Sequence, residues 1–540
     1  MPASQPFTVA CDGGLIKSTN SLALLRTPGF ATKLKNFEVG TEGGYRRVSG
    51  FTRFGEDNAT NPNSTNPILG LAVYADGVIA CSGDGIFFSQ DGISWMQLNK
   101  ASVANSGDNY STFNARSNNA RTGQGQCHFD IYEGTSDYGE ILIVDGANKP
   151  FYFKMTGTGA LDTRTFYAEE ITVSGTISPT VGTIHDKHYV VAGDNDNKNV
   201  IYYSGVNDIT NFSAGTAGNI ALEDAVIGLK SFRNELFIFC KNSIHKLVSI
   251  NDASNIAIVP VTDNVGCLDG HSIQEIAGDL IFLAPDGFRT VAGTSRIGDI
   301  ELSSISKQIQ PLVQKIANKV NTFTISSVVI GDRSQYRLFY SDSSADTTAT
   351  SRGIIGTLRP GSTANPTAGF QWSETLGIQA PAITAGFNSL GLEQYFHGDF
   401  EGRVFLHDNG NSFNGANVVA EYQTPDIDYG DLGTLKTLHF IKMSFGPEGR
   451  VQPTLRVRFN YDDPNHPQPD DYLLASIPPP SLLGDALFGE GVFGASEKPL
   501  VRQQIQGSGH SNFFKLRSDD IRTPYTINGF FIDYIPSGRR

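Results

Sequence analysis

Residues 28–51 read PGFATKLKNFEVGTEGGYRRVSGF, and in this stretch Arg46 and Arg47 stand side by side within ten residues of Glu38 and Glu42. Adjacent guanidinium groups are chemistry for holding phosphate or carboxylate. A glycine-rich phosphate grip needs a strand, a turn and a helix in succession, and no helical pattern follows here, so GTEGGYRRVSG is no dinucleotide fingerprint. Successive strand residues face opposite ways, so only one of the two arginines can join a given face. With two glutamates close by, ion pairing within the domain or between subunits is the preferred reading, and the glycines set tight turns.

Other chemistry-bearing spacings are weaker. His185 and His188 sit three apart in IHDKHYV, which places them on opposite faces of a strand and makes a metal pair unfavourable. Asp194 and Asp196 in GDNDNKN begin like a calcium loop, but Lys198 takes the third ligand position, and a hairpin turn is the better reading. SQDGISW, residues 89–95, resembles a shortened Asp-box, with Asp91 and Trp95 fixing a turn. GxSxG, HExxH and P-loop motifs are absent. The 55 acidic residues leave room for a paired-carboxylate site of the glycoside-hydrolase kind, whose distances sequence cannot give. The five cysteines, at 11, 81, 127, 240 and 267, are widely spaced with no CxxC, which reads as buried or free thiols from a reducing compartment. No cofactor, metal or catalytic residue is expected from these patterns.

The elements that must carry these residues are short strands. Charged residues are only 18% of the 540, while Gly numbers 58 and Phe 35, a composition that favours strands joined by turns. LGLAVYADGVIACSGDGIFFSQDGISWMQL, residues 69–98, breaks four apolar runs at Asp-Gly turns, which is the size of one propeller blade. Similar units recur, and their central residues Val190, Leu236, Leu280, Leu338 and Tyr395 lie 44 to 58 residues apart. The expectation is an all-β chain with a degenerate propeller of six or seven blades over residues 59–420. One helix, around 303–319, is predicted from Leu302, Ile305, Ile309, Leu312, Ile316 and Val320, with Ser303 or Ser304 as cap and Pro311 as a kink.

After residue 420 the strands lengthen. Residues 421–540 read as a β-sandwich or barrel that forms a platform together with residues 1–58. Within it, 476–499 is a long loop with three consecutive prolines. The net charge of −14 argues against a protein that coats nucleic acid. No apolar run is long enough to span a membrane, and no signal peptide is visible at the start. A soluble chain folded in a cytoplasm is expected.

The ordered segment PG-x-A-x-x-L-x-NFE-x4-GGYRR-x-x-GF and the ending NGFFIDY-x-PSGRR resemble the tail nozzle proteins of short-tailed bacteriophages, the tail tubular protein B group. The resemblance implies a homo-hexameric ring below the portal and a tail adaptor protein. Such a ring continues and closes the DNA-ejection channel and supports a tail fibre or tailspike, in a virion assembled in the host bacterial cytoplasm. It implies that Asn36, Phe37, Glu38, Tyr45, Arg46 and Arg47 belong to the platform near the adaptor. An acidic lumen would keep double-stranded DNA mobile without sequence-specific contacts. Leu482, Leu483, Leu487, Phe488, Val492 and Phe493 are too apolar to stand singly in water, so they either gate the channel or pack a neighbouring subunit. The reading from a different class is a glycan-binding or glycan-cleaving propeller of the depolymerase kind.

Overall fold

The computed structural model describes residues 4–539 apart from 26, 57–59, 101–106, 120, 124, 135, 174, 176, 253, 292–303, 343–350, 360–368, 389 and 479–498. Six small antiparallel sheets stand in a ring as a six-bladed propeller, drawn from residues 68–97, 108–170, 181–221, 226–262, 274–290 and 382–407. A nine-stranded sheet packs against these blades: its first four strands are Phe323–Ile330, Gln335–Asp342, Arg352–Arg359 and Gly369–Leu376, and the first of them contacts the last two small blades. The same sheet then runs on through Lys33–Lys35, Val418–Gln423, Asn512–Asp520, Thr454–Phe459 and Tyr472–Leu473. Strands 323–376 and strands from both ends of the chain therefore share one hydrogen-bonded ladder.

The blades repeat a backbone device more faithfully than a sequence. The turn between first and second strands carries positive φ at both central residues in three blades: Ala75-Asp76, Asp186-Lys187 and Arg233-Asn234. In a fourth it falls on Ala277-Gly278. This left-handed pair matches the right-handed twist of the flanking strands. His185 and His188 flank one such turn and pair directly across it. They lie on two strands, not on the faces of one, because Asp186 and Lys187 tolerate the turn that the alternation argument did not foresee.

The platform is a seven-stranded sheet built from both chain ends. Its spine is Thr434–Pro447 against Tyr525–Arg539. Gln5–Ala10 pairs with the latter from Gln5↔Tyr534 to Ala10↔Gly529, and Tyr45–Arg47 joins beside it through Tyr45↔Ile527 and Arg46↔Thr526. Phe37–Val39 closes a hairpin on Tyr45–Arg47. At Gly44, with φ of +79°, an added Cβ would lie 2.6 Å from the Thr526 side chain, so only glycine lets the two chain ends approach here. A segment boundary at residue 58 is not what the sheets follow. Phe51–Arg53 leaves the platform and pairs with Val404–His407 as the outermost strand of the last blade, tying the chain start to the propeller.

The largest apolar core lies under the platform and the shared sheet. It contains Phe37, Tyr45, Trp372, Tyr422, Ile441, Ile527 and Ile532, all fully or almost fully buried. The helix is shorter than the periodicity implies, a single turn at Lys307–Ile309 followed by Gln310–Ala317. Pro311 begins it instead of kinking it, since a first-turn proline removes an N–H that has no intrahelical partner. Ile309 is its cap position and Ser304 is not, because Ser304 Oγ bonds Ser306. Ser303 lies outside the described residues. Ile309, Val313 and Ile316 bury against the same core as Trp372.

Candidate functional site

The densest polar constellation sits at the seam between platform and propeller. Glu38 accepts from Arg46 at 2.8 Å, from Arg333 at 3.0 Å and from Arg337 at 3.0 Å. Arg337 also donates to Asp408 at 2.9 Å, and Arg333 reaches the same carboxylate at 3.3 Å. Arg46 extends the chain outward to Glu448. Three guanidinium groups thus balance three carboxylates from six separate strands, turns and loops. Glu38 and Arg337 are each only 2% exposed, so neither charge has water to fall back on. Burial alone would raise the Asp408 carboxyl, but Arg337, His407 and Arg333 overcome it and hold the group well below the carboxylate range. For Arg337 burial works against the charge, and Asp408 and Glu38 outweigh it.

The two adjacent arginines part company, as the strand alternation requires. Arg46 faces Glu38, while Arg47, 1% exposed, turns to the opposite face and meets Asp520 at 2.7 Å and the carbonyls of Val418 and Arg522. Tyr45 Oη donates to the Gly29 carbonyl at 2.8 Å and accepts from Gly14 N–H at 3.0 Å. Asn36 lets the chain change sheets. Its φ is +53°, its Nδ2 donates to the carbonyls of Leu376 and Val419, and its Oδ1 accepts from Leu376 N–H. Asn is among the few residues that tolerate this backbone while also serving the orphaned groups on both sides.

Of the six residues read as an adaptor surface, Asn36, Phe37, Glu38, Tyr45 and Arg47 are buried inside this one chain, and only Arg46 reaches the surface. They brace the fold and leave little to offer a partner. Glu38 is an ion partner of Arg46 as expected, whereas Arg47 finds its partner at Asp520, 473 residues away. Leu482, Leu483, Leu487, Phe488, Val492 and Phe493 lie outside the described residues. Sequence reasoning missed Arg333, Arg337 and Asp408. The available signal was QYRLFY, residues 335–340: a lone arginine within a strand of aromatic and aliphatic residues needs a buried anion.

The second candidate is the cavity on the propeller axis, about 480 Å3. The innermost strands are stitched around it by amides. Gln126 donates to the Ile325 and Pro381 carbonyls, and Gln274 donates to Ser327. His128 and His271 rings stand 6.1 Å apart, and Lys230 lines the same space. Burial, then His271 and Lys230, push the His128 imidazole down to about 3, so it is neutral near pH 7. Among the described lining residues the one carboxylate is Asp130. Its oxygens already accept from Thr183 Oγ1, Ile184 N–H and Ile131 N–H.

The remaining candidates are turns. Asp91 accepts from Ile93 and Ser94 N–H, and Asp194 from Ser178 and Asp196 N–H. His185 bonds Ser231, and His188 bonds the Ser204 carbonyl and Asn251. All five cysteines are buried and free of disulfides. Among the described residues no cluster of three or more His, Cys, Asp or Glu is placed to hold a metal, and no helix is long and apolar enough to cross a membrane.

No family model matches the chain, and no curated protein does. Among solved structures it is similar to the exo-β-1,3-galactanase of Phanerochaete chrysosporium with galactose, at 9% identity and a TM-score of 0.24 over 90% of this chain and 100% of that one. It is also similar to the AfRom2 CNH domain, at 12% identity and a TM-score of 0.34 over 66% of this chain and 98% of that one.

Proposed function

We propose that this chain is a structural subunit of a bacteriophage tail, a nozzle protomer whose platform assembles into a ring and whose propeller projects from it. The observation that carries the reading is the seam. The molecule's most heavily built polar site contains only saturated ion pairs, and it joins the N-terminal segment, the propeller and the C-terminal sheet into one unit. Guanidinium groups paired to carboxylates have neither a free base nor a nucleophile to offer. They do resist the shear that a load-bearing ring imposes.

A glycan-cleaving propeller is less well supported. Glycoside hydrolysis runs on two carboxylates roughly 5–10 Å apart. The axial cavity has one among its described lining residues, and that one is fully engaged.

Electron microscopy of the full chain mixed with a portal–adaptor complex tests the proposal. The expected result is a six-fold ring of this chain on the adaptor. A chain that stays monomeric beside the adaptor, and cleaves host-surface glycans, overturns it.

A further inference from the structure

One blade turns differently from the rest. In four blades the turn between first and second strands is a tight pair of small or polar residues: Ala75-Asp76, Asp186-Lys187, Arg233-Asn234 or Ala277-Gly278. In the last blade Ala382–Phe387 and Glu393–Gly398 pair as far as Phe387↔Glu393, and a longer loop over 388–392 joins them. Its apolar residues face water. Phe387 is 68% exposed, Leu390 80% and Leu392 60%, and no large apolar residue among those described is more exposed than Leu390. Three such side chains within six residues form a patch, unlike the scattered single apolar residues of an ordinary surface.

The loop backbone closes on itself. Asn388 Oδ1 accepts from Leu390 N–H at 3.0 Å and from Leu392 N–H at 2.9 Å. Asn388 N–H donates to the Leu392 carbonyl, and Gly391 N–H donates to the Asn388 carbonyl. The N–H groups of all four described loop residues are therefore paired within the loop. Water can satisfy the N–H groups of a loop that stays in water, but a loop that enters hydrocarbon must bring its partners with it.

Area and charge decide between occupants. At these exposures the three side chains offer on the order of 400 Å2. A stable interface with a second copy takes about 800 Å2 from each partner, twice what the tip has. An interfacial anchor needs apolar area and no complementary shape. At the base of the tip, Tyr395 Oη donates to Glu393 at 2.8 Å and to Asp332 at 3.3 Å, which holds two carboxylates beside it. No Lys or Arg occurs from Phe387 to Gly398. Anionic headgroups therefore do not attract this hairpin, and a surface of zero net charge suits it better.

We infer that the hairpin tip carrying Phe387, Leu390 and Leu392 is a membrane-surface anchor, whose three side chains enter the headgroup–acyl boundary of a zwitterionic phospholipid bilayer without spanning it. The anchor does not depend on the assembly role.

Flotation of the full chain with phosphatidylcholine vesicles tests it. The chain floats with the vesicles at high salt as at low salt, because the contact is apolar. Leu390→Asp, at an exposed position, lowers the partition coefficient about tenfold or more. Val259→Asp, at an exposed apolar position on another blade, leaves it unchanged. In Phe387→Trp the emission of the introduced indole moves to shorter wavelength when vesicles are added and is quenched by brominated acyl chains. No flotation of the unmodified chain, equal losses in Leu390→Asp and Val259→Asp, or an indole indifferent to vesicles overturns the anchor. Binding confined to vesicles that contain phosphatidylglycerol, and abolished by salt, also overturns it. So does self-association that Leu390→Asp abolishes while flotation stays unchanged, since the tip is then a contact between copies.

Discussion

At the seam, Glu38 and Asp408 meet Arg46, Arg333 and Arg337 at 2.8–3.3 Å, with the innermost pair closed off from water. On the propeller axis, His128, His271 and Lys230 face an open cavity, and the nearby carboxylate of Asp130 is committed to the neighbouring strand. Both regions are polar, but at the seam each charge completes another, whereas on the axis His128 is held neutral by burial and Lys230 has no carboxylate partner among the described ion pairs. A buried pair with a missing member is expensive, while a solvent-facing cation is cheap to lose. The contrast therefore predicts a steep gradient of mutational cost from seam to axis.

Arg337→Met should break the seam most severely. It strands two buried carboxylates and should lower unfolding free energy by about 3–5 kcal/mol in denaturant titration. A loss below about 1 kcal/mol would mean water already reaches the cluster.

Acid should come next. His407 is pushed down to about 4 in the folded chain, against about 6.5 when unfolded. Between those values the unfolded chain binds a proton that the folded chain refuses, so stability falls as pH drops from 6.5 to 4, by about 3 kcal/mol from this group. Asp408 has the same sign in a lower window: its contribution is intact above the usual carboxylate pKa and is lost at more acidic pH, as the folded group titrates. His128 on the axis adds slope in the same window as His407, and denaturant titrations of His407→Gln and His128→Gln across that window should each flatten part of it.

Asn36→Ala removes three side-chain hydrogen bonds at a left-handed backbone position and should cost about 2–3 kcal/mol by the same titration. Lys230→Met, on the axis, should shift stability by no more than about 0.5 kcal/mol. A larger loss there would erase the contrast between the two regions.

The sequence shows the blades through their turns. Val190, Leu236, Leu280, Leu338 and Tyr395, picked for their spacing, all fall on the second strands of successive units. Each of those strands follows a turn that contains Asp, Asn, Gly or Ser. The fusion of the Leu338 unit with the platform stays hidden, because it rests on Lys33–Lys35 slipping in parallel beside Glu374, and no local pattern announces a single parallel pairing. The seam was half legible. Glu38 and Arg46 lie eight residues apart and could be matched by eye, but Arg337 is 299 residues from Glu38 and Arg47 is 473 from Asp520. The helix is overextended in the sequence reading because Ile305 and Val320 satisfy its period, although the helical turns run only from Lys307 to Ala317.

The central claim is that platform and propeller behave as one body through the seam. Native-state hydrogen exchange read by mass spectrometry tests it directly. Peptides from Gln335–Asp342 on the propeller side and from Tyr525–Arg539 in the platform should open with the same free energy, and Arg337→Met should separate them. If in the unmodified chain the platform peptides exchange at a clearly lower free energy than the propeller peptides, the seam is not what holds the two together.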